Sequence, residues 1–385
     1  MNREDPWLLE QPSSHSSYPI RHEEITIKTS SFRKQDISVL LYHPETPANN
    51  PLERELVLCE SGWTETRLDK QARSIGRVGL HAACFNHPRR GALRDLWSLL
   101  VASRNLRANW QELSNAIWEE KDLERAEGVL IDMLADQVAD EDDRKTLFSA
   151  AVSAGKSRRD NLLAVTDRLR EENFDLHLLG HSLGGIDVTM ATKAAPQHVK
   201  SLSLAGPGGV MINDSVGGII PRVAATVVGE RAEVFHNVRE LARMAVNTVL
   251  FIAENPALTI YEGGYAATSR LEKSLWDIMA DYGLPTTLIL GEKDKMFPTD
   301  IVTQDIQPIP FAGTVIIPGA GHNMTLHQAD IVARIMRNIA MDVDDRRSGR
   351  LEVNMKNALA MRAHLRPTDT MSMTDVEIDL FKRND

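Results

Sequence analysis

Short apolar runs recur along the chain, separated by polar turns or by stretches with helical spacing. Two early segments alternate apolar and polar residues: EEITIK (23–28) and DISVLLYH (36–43), joined by the polar turn SSFRKQ. That alternation predicts an antiparallel pair. Six later runs are continuous: ELVLCE (55–60), LHAACFN (80–86), FDLHLLG (174–180), HVKSLSLAG (198–206), LPTTLILG (284–291) and GTVIIPG (313–319). Runs of this length suit strands buried on both faces, the environment of a parallel sheet. Helical periodicity fills 157–172, 183–195 and 327–341. The sum predicts a doubly wound α/β core of about eight strands. The first two should be antiparallel and the rest parallel through right-handed crossovers.

Two gaps are too long for simple crossovers. Residues 93–156 read as a mostly helical insertion with an acidic run, DEDDRK, at 140–145. Residues 211–284 read as a helical cap, in which ERAEVFHNVRELARMAVNTVLFIAE (230–254) has the pattern of one long amphipathic helix. Both leave the sheet at the carboxyl ends of strands, where open α/β sheets bind ligands, so both are expected to roof a site. The core is then assigned to 22–92, 157–210 and 285–341. An arm rich in Ser and Pro (1–21) precedes it, and a charged tail (342–385) with one expected helix near 351–364 follows.

Composition narrows the classes. The chain has 385 residues and a net charge of -10, and it carries no basic stripe, which argues against nucleic acid as a partner. Its two cysteines, Cys59 and Cys84, sit in apolar runs. They are no disulfide framework, which points to a reducing compartment. The N-terminal residues lack the apolar core of a secretory signal, and no apolar run approaches the roughly 18 residues of a membrane span. A cytoplasmic protein without an integral membrane segment is expected. No HExxH, no CxxC pair and no G-x-G-x-x-G following an early strand is present, so neither a metal nor a dinucleotide cofactor is expected.

The stretch LHLLGHSLGG (176–185) carries the chemistry. Gly180-His181-Ser182-Leu183-Gly184 fits G-x-S-x-G. Chance produces that pattern in about one chain in ten of this length at ordinary residue frequencies of roughly 7%, so its context decides. It follows a predicted strand and opens a predicted helix, as a nucleophile elbow requires. A serine hydroxyl needs a base, normally a histidine held in one tautomer by a carboxylate. Downstream, GEKDKMFP places Asp294 just past LPTTLILG, and GAGHN places His322 just past GTVIIP. All three lie at the same carboxyl edge, in the order Ser, acid, His. Asp300 and Asp214 are the other candidate acids, and His327 is the other candidate imidazole. His181 is expected to pack beside the elbow. Arg89 or Arg90, in NHPRRG, is expected to anchor its own loop.

With these three motifs in order the chain resembles the α/β-hydrolase superfamily, in its serine esterase/lipase-like branch. The resemblance covers roughly residues 22–92, 157–210 and 285–341. It implies an α/β-hydrolase fold with Ser182 as nucleophile, His322 as general base and Asp294 as the orienting acid. It also implies an oxyanion hole of two backbone N–H groups, one from Leu183 and one from the loop ESGWTETR, by position Trp63. Relatives often carry His-Gly in that loop, whereas Ser61 stands at the histidine position here. Serine at the elbow points to acyl chemistry, because epoxide hydrolases and haloalkane dehalogenases of this fold use aspartate there.

The expected function is therefore hydrolysis of a small-molecule carboxylic ester through an acyl-enzyme. The same triad would serve a C–C bond hydrolase or an acyltransferase, and Ser61 leaves room for a non-catalytic binding protein on the same scaffold. Trp63, Trp97, Trp110, Trp118 and Trp276 all fall in segments placed above the sheet edge. They could line an apolar acyl pocket or fill separate cores of the insertions.

Overall fold

The computed structural model of the chain describes residues 17–28, 36–47, 50–62, 68–86, 158–211, 271–306 and 313–347, with a few single positions between 218 and 269. The 93–156 insertion, the 230–254 helix and the helix expected near 351–364 lie outside the described residues, as do Trp63, Arg89 and Arg90.

Eight strands form one open sheet: β1 (Ile20–Lys28), β2 (Asp36–Pro44), β3 (Glu55–Glu60), β4 (His81–Phe85), β5 (Asp175–His181), β6 (Ser201–Ala205), β7 (Thr286–Gly291) and β8 (Gly313–Ile317). Their spatial order is β1-β2-β4-β3-β5-β6-β7-β8. The β1–β2 and β2–β4 pairs are antiparallel and every other pair is parallel. All eight apolar runs become strands. β3, β6 and β7 are buried along their whole length, which is why they read as continuous runs. β1 is mostly exposed, because it is an edge strand and one of its faces meets water.

The described helices are α1 (Asp69–Arg77), α2 (158–171), α3 (Leu183–Ala194), α4 (Glu272–Tyr282), α5 (Thr299–Ile306), α6 (Met324–His327) and α7 (Ala329–Arg347). Strand alternation sorts the core into two layers. Leu56, Leu58, Leu176, Leu178, Leu202 and Leu204 face α2 to α5. Val57, Cys59, Leu179, Ala205 and Ile289 face α1, α6 and α7. α4, the last helix of the 211–284 stretch, contributes Leu275 and Ile278 to the first layer. The buried hydroxyls of Thr189 and Thr192 donate to the carbonyls of Gly185 and Val188, four residues back, so α3 is polar in places yet covered on nearly all sides.

The chain runs from β3 outward to β4 in one direction, then returns to build β5 through β8 in the other. The order therefore reverses between β3 and β5. A crevice opens above the carboxyl ends of two parallel strands at such a reversal, and ligands bind there.

Both cysteines are free and buried, and they stand opposite each other on β3 and β4. Burial pushes the Cys59 thiol well above its ordinary range, with the Glu60 carboxylate acting in the same direction. The thiolate is the reactive form, so Cys59 is a packing residue.

A histidine pair marks the β2–β4 seam. The Nδ1 atoms of His43 and His81 lie 3.0 Å apart, and His43 Nε2 lies 3.1 Å from Glu23 Oε1. Phe174 stacks against both rings. Burial pushes His81 down from 6.5 to about 4, with His43 and Arg21 adding charge repulsion. The unfolded chain thus binds a proton that the folded chain refuses between those two values. This contribution to stability is complete above pH 6.5 and is lost as pH falls toward 4. The melting temperature of the wild type is expected to fall more steeply over that window than that of His81→Asn. Parallel curves would contradict the assignment.

Candidate active site

Three loops at the carboxyl edge of the sheet bring Ser182, Asp294 and His322 together. Ser182 lies between β5 and α3 with φ 55° and ψ -120°. Positive φ is uncommon for a residue with a Cβ and costs on the order of 1–3 kcal/mol. The flanking glycines show what the turn demands. A Cβ on Gly180 would stand 2.4 Å from the Gly184 carbonyl oxygen, and one on Gly184 would stand 2.6 Å from the carbonyl oxygen of Glu60. The G-x-S-x-G spacing is thus set by backbone passing over backbone. Three bonds hold the turn: Ser182 N–H donates to Ala205 O at 3.0 Å, and Gly185 N–H and Gly208 N–H donate to Ser182 O at 3.0 and 2.9 Å.

The other two loops are zipped to each other. Glu292 N–H donates to Ile317 O and Lys293 N–H to Ala320 O. Gly291 lies so close to the Gly321 carbonyl that a Cβ would approach within 2.5 Å of it. Asp294 and His322 are therefore delivered as a unit. The Asp294 carboxylate is divided by role: Oδ1 accepts from the backbone N–H groups of Met296 (2.8 Å) and Phe297 (2.9 Å), and Oδ2 lies 2.9 Å from His322 Nδ1. An ionised carboxylate can only accept, so Nδ1 carries the proton and Nε2 presents its lone pair. Nε2 lies 3.1 Å from Ser182 Oγ, within the reach a general base needs. Ser182, Asp294 and His322 are each buried, at 7%, 5% and 5% relative exposure, so the pairing is shielded from competing water.

The structure also shows what supports this line and was not visible in the sequence. His181 Nε2–H donates to the His322 carbonyl oxygen at 2.9 Å, so the ring beside the elbow props the histidine loop. The Phe297 ring packs 5.4 Å from the His322 ring. Gly206, with φ +48°, passes beside the acid–imidazole contact, and a Cβ there would stand 3.0 Å from Asp294 Oδ2 and 3.3 Å from His322 Nδ1. The sequence places Gly206 at the end of an apolar run and does not show its partner.

Asp300 sits in the first turn of α5 and His327 ends α6; the contact is made by Asp294 and His322 instead. Asp214 lies outside the described residues. Leu183 opens α3. As the first helical residue it has an N–H without an intrahelical acceptor, and it stands at the positive end of the helix dipole. Among the described residues, no group of three or more His, Cys, Asp or Glu side chains could hold a metal ion, and no helix is long and apolar enough to cross a membrane.

A sequence profile of the alpha/beta hydrolase family matches residues 150–335. No curated protein sequence matches the chain. Solved structures similar to it include a thermophilic esterase from Thermogutta terrifontis, at 14% identity over 83% of this chain and 99% of that one with a TM-score of 0.50. An esterase from Exiguobacterium antarcticum follows, at 13% identity over 83% and 100% of the two chains with a TM-score of 0.49. A proline iminopeptidase from Mycobacterium smegmatis is similar at 13% identity over 84% and 99%, with a TM-score of 0.48. At these identities the likeness concerns the fold alone.

Proposed function

We propose that this chain, whose residues 150–335 match the alpha/beta hydrolase family profile, is a serine hydrolase of that superfamily that cleaves a small-molecule carboxylic ester through an acyl-enzyme. The observation that carries this reading is the continuous line from Asp294 Oδ2 through the His322 ring to Ser182 Oγ, with contacts of 2.9 and 3.1 Å. A serine at positive φ at the end of a buried strand, facing a tautomer-fixed imidazole, is a costly local arrangement that acyl transfer makes use of.

In the first half-reaction Ser182 Oγ attacks the acyl carbon while His322 Nε2 takes the hydroxyl proton. The carbonyl electron pair moves onto its oxygen. The negative charge formed there is met by the Leu183 N–H and, in this reading, by the Trp63 N–H. One such donor is worth roughly 3–4 kcal/mol of barrier. Asp294 stabilises the imidazolium. Collapse of the tetrahedral species expels the alkoxide, which takes the proton from Nε2 and leaves as the alcohol. Water then repeats the sequence on the acyl-enzyme. It gives a proton to His322, adds to the acyl carbon, and releases the acid as Ser182 Oγ recovers its proton. Serine rather than aspartate at the elbow supports acyl transfer over the alkyl chemistry that a carboxylate nucleophile would give.

A fluorophosphonate probe followed by peptide mapping tests this directly. The expected result is one adduct, on Ser182, with loss of p-nitrophenyl ester hydrolysis in step with labelling. A folded wild type that is neither labelled nor active on esters of graded chain length would overturn the reading.

A further inference from the structure

We propose that Arg158 is a positioning residue of this site, fixing the peptide that leaves β3 against the helix that carries the nucleophile; the inference rests on the serine-hydrolase reading above. Arg158 opens α2 and sits at 5% exposure, between Glu60 and Asp187, which are both at 0%. Its Nε–H donates to Asp187 Oδ2 at 2.7 Å, and its second terminal nitrogen donates to Glu60 Oε1 and to the Ser61 carbonyl oxygen, each at 3.0 Å. Asp187 belongs to α3, five positions beyond Ser182. Glu60 ends β3, and Ser61 is the first residue beyond it. One guanidinium thus ties three chain segments that converge at the switch point.

The location of this cluster argues for a role in the reaction. Desolvating three charged groups is expensive, and well-packed apolar side chains of similar volume are often as stable or more so. Stability alone does not account for a buried ion cluster at this place. Its contact with the Ser61 carbonyl does. The same peptide is pressed from below by α3, because Gly184 lies where a Cβ would come within 2.7 Å of the Ser61 carbonyl oxygen. The Ser61 peptide is therefore clamped between the guanidinium and the first turn after the nucleophile. Its orientation governs the direction in which the following residues leave β3, and the second oxyanion donor is proposed among them. The requirement is for a planar fork. Three bonds in three directions from Nε and one terminal nitrogen suit arginine, while a lysine ammonium offers a point charge without that fixed geometry.

The test compares wild type with Arg158→Lys, which keeps the charge and loses the fork. Turnover is counted per active site by fluorophosphonate titration, so an unfolded fraction does not enter. Misplacement of a catalytic group by about an ångström can cost on the order of 100-fold. The expected result is a kcat lower by about 10- to 100-fold with KM changed less than about threefold, and a matching fall in the labelling rate of Ser182. A merely structural arginine would lower the melting temperature and leave the rate per folded site at the wild-type value; that result would overturn the proposal. Should Arg158→Lys fail to fold, Asp187→Asn serves. Its amide oxygen still accepts from Nε–H, but the charge that anchors the fork is gone. A drop of about 3- to 10-fold in kcat supports the proposal, and an unchanged kcat overturns it. A wild type without labelling at Ser182 removes the serine-hydrolase reading itself and the role of Arg158 with it. Labelled wild type with an indifferent Arg158→Lys removes only the latter.

Discussion

Replacing His322 by alanine is expected to lower kcat on a carboxylic ester by on the order of 10⁵- to 10⁶-fold, with Ser182→Ala equally damaging and the double variant no worse than either. The three side chains act as one device, so removing any essential part removes the whole advantage. The imidazole Nε2 lies 3.1 Å from Ser182 Oγ, placed to accept its proton; without it the hydroxyl stays protonated and a poor nucleophile. Asp294→Asn is expected to cost about 10⁴-fold by a different route. The Met296 and Phe297 N–H groups both point at Oδ1, so the asparagine oxygen would be drawn to them and its amide nitrogen turned toward His322. Nδ1 would then have to accept, Nε2 would carry the proton, and the ring would face Ser182 with a donor in place of a base. Steady-state hydrolysis of a p-nitrophenyl ester, with thermal melts to confirm folding, checks all four proteins. His322→Ala retaining more than a few per cent of wild-type kcat would remove His322 as the base.

The parts of this site legible in the sequence are those fixed by local contact. Gly180 and Gly184 are glycine because the elbow folds the chain back on itself within a few residues, so the requirement is written in five consecutive letters. The strands were legible because β3, β6 and β7 are covered on both sides, and an unbroken apolar run is the trace of that burial. Asp294 and His322 were reachable because each follows the end of such a run. Nothing local announces Arg158, which is 98 residues from Glu60 and 29 from Asp187. Glu60 and Asp187 look in the sequence like a polar strand end and a polar helix position. The helices α1 and α5 are not named from the sequence, and α4 falls inside the 211–284 stretch read as a helical cap. They are short, and their placement comes from covering the sheet. Gly206 shows the same limit, since its neighbour across the crevice is the Asp294–His322 contact.

A second serine–histidine–carboxylate chain lies at the opposite edge of the same sheet, and it is expected to contribute stability and no turnover. Ser201 Oγ is 2.7 Å from His177 Nδ1, and His177 Nε2 is 2.7 Å from Glu55 Oε2. These contacts are shorter than those at Ser182. Their surroundings are different in kind. All three residues are buried at the amino ends of β3, β5 and β6, roughly 16 Å along β5 from Ser182 at about 3.3 Å per residue. Ser201 belongs to a regular strand, with no elbow to lift its hydroxyl and no helix N-terminus beneath it. Lys200 Nζ pairs with Glu55 Oε1 at 2.6 Å and with Asp175 Oδ2 at 3.1 Å, so the carboxylate is already neutralised by a fixed cation. The cluster cross-links three adjacent parallel strands. Glu55→Ala takes one carboxylate from Lys200, which keeps Asp175, and removes the partner of His177 Nε2; the loss is expected to stay below the about 3–5 kcal/mol of a buried charge left with no partner. Glu55→Gln should cost less, because its amide still reaches both neighbours. Urea unfolding of the two variants measures the difference, and a Glu55→Ala protein as stable as wild type would show that the cluster is dispensable. Ser201→Ala should hydrolyse esters at the wild-type rate. A large loss there would mean that the reaction does not occur at the carboxyl edge, because the same three residue types would then be working without exposure, strain or an oxyanion site.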